Sequence, residues 1–152
     1  MTASPPADTV PGAEVTVNHV GLCVTDLDRS RRFYQEALGF TFIRSLMPPD
    51  DVCSSLLDVP LPVNLTAVYL SRGTFTLELL HFARSGNPPA TRRAMHEPGL
   101  THLSISTDDL AATTARVATL GGEVLESTNV GAAIMVRDPD GQLLELIQAR
   151  AR

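Results

Sequence analysis

An internal repeat is the feature of this 152-residue sequence that most restricts its fold. Residues 17–42 and 100–125 align at a constant offset of 83, with four identities in register: His19 with His102, Asp26 with Asp109, Leu27 with Leu110, and Gly39 with Gly122. Each segment begins with a run typical of a strand, passes an acidic residue suited to cap a helix, and continues at helical spacing up to the glycine. The chain is therefore predicted to contain two copies of one module.

The two copies also end alike, in Leu77-Glu78-Leu79 and Leu144-Glu145-Leu146, which lie 67 residues apart. Module one must hold about sixteen additional residues, and the proline-rich stretch 47–63 is predicted to hold them as a long loop. In module two, residues 138–141 read Asp-Pro-Asp-Gly and predict a turn between two strands. Each module is thus predicted to run strand, helix, then three strands.

The length of the chain permits one compact domain. Residues 1–14 are predicted to be a disordered leader, because they are rich in Ala, Pro and Thr and lack the basic and apolar regions of a secretory signal. Residues 15–150 are predicted to form a single domain, with module one at 15–84, a connector at 85–97 and module two at 98–150.

Charge and composition exclude several classes of partner. The net charge is -5 and no cluster of Lys or Arg occurs, so neither nucleic acid nor a membrane surface is an expected partner. No apolar run approaches the roughly 20 residues that a bilayer crossing needs. Cys23 and Cys53 form no framework for disulfides or zinc, which fits a reduced, cytoplasmic setting. A small molecule is the expected partner.

Four residues at repeat-related positions are candidate metal ligands: His19, Glu78, His102 and Glu145. In predicted strands 17–24 and 101–106, alternation places both histidines on the less apolar face. Glu145 is flanked by apolar residues on both faces of its strand, and a carboxylate in such a place is normally paired or bound to metal. Two imidazoles and two carboxylates would suit one divalent Ni, Co, Mn, Fe or Zn ion.

Each candidate taken alone has a simpler interpretation. A single strand histidine is more often a satisfied or surface side chain, Glu78 is most simply solvent-facing, and Glu145 could pair with Arg137. The repeat favours the metal interpretation, because His and Glu recur together at matching module positions.

With these motifs the sequence resembles the vicinal oxygen chelate superfamily, which includes glyoxalase I, methylmalonyl-CoA epimerase, extradiol dioxygenases and bleomycin-binding proteins. The resemblance covers about residues 17–148. It is carried by Asn18-His19-Val20-Gly21, Asp26-Leu27, Phe33-Tyr34, Leu38-Gly39-Phe40, Leu77-Glu78-Leu79-Leu80, Thr101-His102-Leu103, Asp108-Asp109-Leu110, Arg137-Asp138-Pro139-Asp140-Gly141 and Leu144-Glu145-Leu146.

The resemblance implies an α+β fold in which two βαβββ modules form a cup-shaped mixed sheet. It places metal ligands at His19, Glu78, His102 and Glu145, and it implies a homodimer, since many members pair modules across two chains. Members with this full ligand set mostly move a proton beside a chelated carbonyl or enediolate, as glyoxalase-like lyases, epimerases or isomerases. We expect Glu145 to be the catalytic base, with Glu78 able to serve the opposite face.

Two positions depart from the bacterial glyoxalase I pattern. That pattern has an arginine four residues beyond the first ligand histidine and an asparagine four beyond the first ligand glutamate, where this chain has Cys23 and Phe82. Glutathione is therefore not the expected carrier. Three alternatives remain open from the sequence: an extradiol-type dioxygenase, which would use iron and three ligands; a non-catalytic protein that binds a small molecule or antibiotic; and a fosfomycin-type transferase, which also uses three ligands.

Overall fold

Two modules of the same topology make up the parts of the chain that the computed structural model describes, residues 15–83 and 94–150. Module one consists of β1 (Val20–Cys23), α1 (Leu27–Glu36), β2 (Thr41–Leu46), α2 (Asp50–Leu57), β3 (Leu65–Arg72) and β4 (Phe75–Phe82). Module two consists of β5 (Leu103–Thr107), α3 (Leu110–Thr119), β6 (Glu123–Val124), a short 3₁₀ helix (Glu126–Thr128), β7 (Ala133–Arg137) and β8 (Leu143–Gln148). The predicted leader, residues 1–14, lies outside the described residues.

Each module forms a four-stranded mixed sheet, with strand order β1-β4-β3-β2 in module one and β5-β8-β7-β6 in module two. The first strand pairs in parallel with the last strand of the same module, and the other pairings are antiparallel. The predicted α+β fold of two βαβββ modules is therefore confirmed. This topology places β1 beside β4 and β5 beside β8, which brings together the segments that carry the candidate ligands.

The first helix of each module begins as predicted. The carboxylate of Asp26 accepts a hydrogen bond from the backbone N–H of Arg29 at 3.0 Å, and that of Asp109 accepts one from Ala112 at 2.8 Å. Both bonds satisfy an N–H group that the first helical turn leaves without a backbone partner. In the described ranges, every helix falls short of the length and apolar character that a membrane crossing requires.

One apolar core joins the two modules. It takes Phe33 and Tyr34 from α1, Val117 from α3, and the inner faces of both sheets. The modules pack tightly at Gly122 of module two, where an added Cβ would lie 2.9 Å from Cε2 of Phe33 in module one and 2.6 Å from Cγ1 of Val117 in its own module. Only glycine fits between these side chains, so the two modules pack as one unit.

The turn at residues 138–141, which was predicted from sequence, also ties module two to α1. The buried hydroxyl of Tyr34 donates to Asp138 at 2.9 Å, and Ser30 donates to Asp140 at 3.0 Å. Burial raises the pKa of Asp138. Burial has the same tendency at Asp140, but hydrogen bonds from Thr25 and Ser30 outweigh it and hold the pKa of that carboxyl below its usual value. The turn is therefore a polar junction within the shared interface.

Two sequence predictions about local structure are wrong. The stretch 47–63 contains α2 rather than being loop throughout. The prolines lie outside this helix, which has Asp50 and Asp51 in its first turn, where acidic side chains are favourable. Asp50 also accepts hydrogen bonds from the N–H groups of Val63 and Asn64, at 3.0 and 2.8 Å. The other error concerns strand limits, since β1 and β5 begin one residue after His19 and His102.

Candidate metal site

His19 and Glu78 form the module-one half of the candidate site. Glu78 lies in the middle of β4, opposite Gly21 of β1 in the parallel ladder, and His19 precedes β1. The Nε2 atom of His19 is 3.0 Å from Oε2 of Glu78. The Glu78 side chain is 12% exposed and the His19 side chain 36% exposed, so the pair lies at an accessible surface of the sheet.

His102 and Glu145 form the corresponding half in module two, with 3.7 Å between Nε2 and Oε2. Two neighbours orient them. The hydroxyl of Ser104 donates to Oε2 of Glu145 at 2.6 Å. The hydroxyl of Thr101 lies 2.9 Å from Nδ1 of His102, which leaves Nε2 directed toward the carboxylate. A metal-binding histidine is commonly held in this way, with one ring nitrogen bonded to a neighbouring polar group and the other free for the ion.

Both pairs lie on the side of their sheet that faces away from the core. Leu77 and Leu79 are fully buried, as are Leu144 and Leu146, and side chains alternate along a strand. Glu78 and Glu145 therefore project from the opposite side, which we call the ligand face of each sheet.

The ligand face of module two changes the interpretation of Glu145. The side chain of Glu145 is 30% exposed and accepts a hydrogen bond from Ser104. It is therefore not enclosed by apolar residues in the way that its sequence neighbours had suggested. The alternative partner Arg137 is engaged elsewhere, since its Nε lies 3.7 Å from Glu123 and its Nη1 donates to the carbonyl of Gly141.

The two pairs do not converge within one chain. Across residues 15–83 and 94–150, no three His, Cys, Asp or Glu side chains come close enough together to hold a metal ion. The fold gives the reason: both sheets turn their apolar faces into the common core, so their ligand faces point away from it. One chain therefore presents two separate candidate half-sites, each with one imidazole and one carboxylate.

The residues of these half-sites fit a divalent metal. Each half offers an imidazole nitrogen and a carboxylate oxygen that already face one another. Two such halves would give a mixed nitrogen and oxygen set, which suits Zn or a first-row transition metal with positions left for water or substrate.

Two further residues lie beside the module-one pair, at positions that sequence spacing alone does not predict. Tyr69 of β3 lies opposite Glu78, and its ring meets the His19 ring edge to face with 5.5 Å between centroids. Hydrogen bonding with Glu78, followed by partial burial, raises the pKa of Tyr69. Arg44 of β2 stacks on the same tyrosine, with its guanidinium 4.6 Å from the ring centre. A strand pairing that sequence patterns did not predict places both beside the candidate ligands.

A family model for the glyoxalase/bleomycin resistance protein/dioxygenase superfamily matches residues 16–146. The chain belongs to this superfamily, as the sequence resemblance predicted.

Individual proteins of known sequence or structure are also similar to this chain. The chain is 28% identical over 138 residues to a lactoylglutathione lyase of Haemophilus influenzae, covering 88% of this chain and 92% of that protein. A trypanothione-dependent glyoxalase I of Leishmania major has a similar structure, with a TM-score of 0.63 at 27% identity, covering 85% of this chain and 83% of the other. A glyoxalase family protein of Bacillus cereus superposes with a TM-score of 0.76, covering 91% and 96% of the two chains; at 14% identity it supports the fold alone.

Proposed function

We propose that the protein is a metal-dependent enzyme that moves a proton next to a chelated carbonyl or enediolate, as a glyoxalase-like lyase, an epimerase or an isomerase. The observation that carries this proposal is the recurrence of a His–carboxylate pair at matching places on both ligand faces, with nitrogen–oxygen distances of 3.0 and 3.7 Å. The similarity to two glyoxalase I proteins supports the same reaction class. The substrate is a small molecule, and the two free thiols favour a cytoplasmic enzyme.

The working form in this proposal is a homodimer with two composite sites. A two-fold axis brings the same surfaces of both chains together, so the module-one ligand face of one chain can meet the module-two ligand face of the other at both sites. Each site would then hold one ion among His19 and Glu78 of one chain and His102 and Glu145 of its partner. The exposure of every residue of β2 in the isolated chain supports a partner at this surface.

The four ligand residues would hold a divalent ion such as Ni, Co, Mn, Fe or Zn, and the chemistry such an ion supplies is Lewis-acid polarisation of a substrate oxygen. The protein groups provide the proton transfer. A carboxylate within hydrogen-bond reach takes the proton from the carbon beside the polarised oxygen and returns it to complete the reaction. A lyase, an epimerase and an isomerase differ in where the proton returns and which bond then breaks.

Glu145 is the better candidate for this base. It stands farther from its histidine than Glu78 does, at 3.7 Å against 3.0 Å, and its side chain is more exposed, at 30% against 12%. A carboxylate that lies farther from its histidine and is more exposed can turn toward substrate with less loss of that contact. Ser104, whose hydroxyl donates to Oε2, would position the carboxylate, and Glu78 would serve the opposite side of the substrate.

Metal titration tests this proposal directly. Calorimetry of metal-free protein with Ni, Co, Mn, Fe(II) and Zn should show about one ion bound per chain with micromolar or tighter affinity. Glu78→Gln should weaken this binding because it removes a ligand charge, whereas Glu36→Gln should not, since Glu36 pairs with Arg32 on the surface of α1. If none of the five metals binds at micromolar or tighter affinity, the ligand assignment is wrong and the family's non-catalytic binding role becomes the better hypothesis.

Glutathione conjugates should be poor substrates, because Cys23 and Phe82 occupy the positions where bacterial glyoxalase I enzymes contact glutathione. Activity on the hemithioacetal of methylglyoxal and glutathione should be weak or absent in metal-loaded protein, while the Haemophilus influenzae relative serves as a positive control. A kcat/KM above about 10⁵ per molar per second lies in the ordinary enzyme range and would show that glutathione is accepted after all.

A further inference from the structure

A row of residues crosses the module-one sheet beside the candidate ligands. Glu78 of β4 lies opposite Gly21 on one side and Tyr69 on the other, and Tyr69 lies opposite Arg44 of β2. Residues that are directly opposite in a ladder share one face of a sheet. Arg44 is therefore on the ligand face, two strands away from Glu78, with the Tyr69 ring between them.

A β-bulge is the reason that Arg44 reaches this face. The ladder between β2 and β3 pairs Phe42 with Leu70 and then Arg44 with Tyr69, so Ile43 is the extra residue. Without the bulge, Arg44 would lie opposite Val68, which is buried in the core. Bulges often redirect a side chain beside an active site. Here the bulge moves Arg44 from a position that would face the core to one on the ligand face.

The guanidinium of Arg44 is available to a ligand. In the described parts of the chain no carboxylate forms an ion pair with Arg44; its contacts are with Tyr69, through stacking on the ring and a side-chain hydrogen bond. A cavity of about 350 Å³ opens beside it and is lined by Asn18, His19, Ile43, Arg44, Tyr69 and Thr76. A stacked guanidinium keeps its N–H groups for in-plane hydrogen bonds, and its flat fork matches a carboxylate.

The equivalent row in module two has a different chemistry. Glu145 lies opposite Ser104 and Met135, and the backbone N–H of Leu125 donates to the carbonyl of Met135 at 3.1 Å. Met135 and Leu125 thus occupy the places that correspond to Tyr69 and Arg44. The module-one ligand face is charged at this end and the module-two ligand face is apolar there.

We infer that Arg44 binds a carboxylate of the substrate, and that the substrate therefore carries this anionic group beside the oxygens that the metal chelates. The inference rests on the proposed function and adds the class of substrate to it: a small oxo or hydroxy compound with a carboxylate arm. Tyr69 is a positioning residue, since its ring supports the guanidinium and its hydroxyl faces Glu78.

Two chelators that differ only in the proposed group test the inference. Succinic monohydroxamate carries a carboxylate arm, and butyrohydroxamate has a methyl group in its place. Both are titrated into Co(II)-loaded protein and followed by the visible absorption of the ion. The variants are Arg44→Gln and a matched control, Arg31→Gln, which removes another arginine placed over an aromatic ring, at 5.7 Å from the centre of Phe42.

Wild type and Arg31→Gln should bind succinic monohydroxamate at least about tenfold more tightly than butyrohydroxamate, the effect of one charge-assisted hydrogen-bonded pair. Arg44→Gln should lose this preference and bind butyrohydroxamate as wild type does. The inference is overturned if wild type shows no preference or if Arg44→Gln retains it.

Failure of the metal site would be visible separately, as loss of butyrohydroxamate binding by every protein. In that case succinate titrated into metal-free protein and followed by NMR decides the role of Arg44. Shifts that disappear in Arg44→Gln and remain in Arg31→Gln support the anion site, and their absence in wild type rejects it.

Discussion

Two inactive variants should restore one another when their chains are combined. His19→Ala and His102→Ala should each abolish tight metal binding, because each removes an imidazole from both composite sites of the proposed homodimer. In a mixed dimer, one site loses both histidines and the other keeps all four ligands. Random pairing makes half of the dimers mixed, so the refolded mixture should regain about a quarter of the wild-type metal content.

The measurement is metal bound per chain, by mass spectrometry after the two variants are unfolded, mixed and refolded. The control combines His19→Ala with Glu78→Gln. Both substitutions affect the module-one half, so every mixed dimer has one damaged ligand at each site and recovery should be absent. If His19→Ala and His102→Ala also fail to complement although mixed dimers form, the four ligands do not meet between chains.

Replacing Glu145 by glutamine should reduce turnover far more than metal binding. Glutamine keeps an oxygen that can bind the ion and accept the Ser104 hydrogen bond, but it has no basic carboxylate. Metal affinity should fall modestly, while turnover falls by about 10² to 10⁴, the usual contribution of a general base. His102→Ala should instead lose metal and activity together.

Exchange of the substrate's α-hydrogen for solvent deuterium is the readout, measured with fully metal-loaded protein on a substrate that wild type turns over. Ser104→Ala is the comparison variant for Glu145→Gln, since it removes the hydrogen bond to Glu145 but keeps the basic carboxylate. If Glu145→Gln exchanges the hydrogen as fast as wild type, Glu145 is a ligand only, and Glu78 is the next candidate for the base.

The sequence predicted the parts of the candidate site that depend on local patterns. Alternation along β4 is such a pattern: it puts Glu78 on the face opposite Leu77 and Leu79, and both leucines are buried. The caps at Asp26 and Asp109 and the turn at residues 138–141 were predicted for the same reason, because a few adjacent residues determine them.

The remaining features depend on how distant parts of the chain pack. A ligand repeat does not reveal whether two sheets face one another or share a core, so the separation of the two His–carboxylate pairs was not predictable from spacing. The place of Arg44 beside the candidate ligands was not predictable from local patterns, because it depends on one extra residue in the ladder between β2 and β3. Helix α2 was missed because prolines on both sides are typical of a loop.

The close packing at Gly122 has a consequence for the history of the two modules. If they arose by duplication of one ancestral segment, each copy has since given up an independent interior, because the joint core contains side chains from both. Substitutions of residues that face the shared core are therefore restricted in both modules. Outside the four candidate ligands, the outward surfaces are not restricted by the shared core, which allows one copy to carry Arg44 where the other carries Leu125. Divergence between the two copies can therefore alter which molecules are recognised without a new fold.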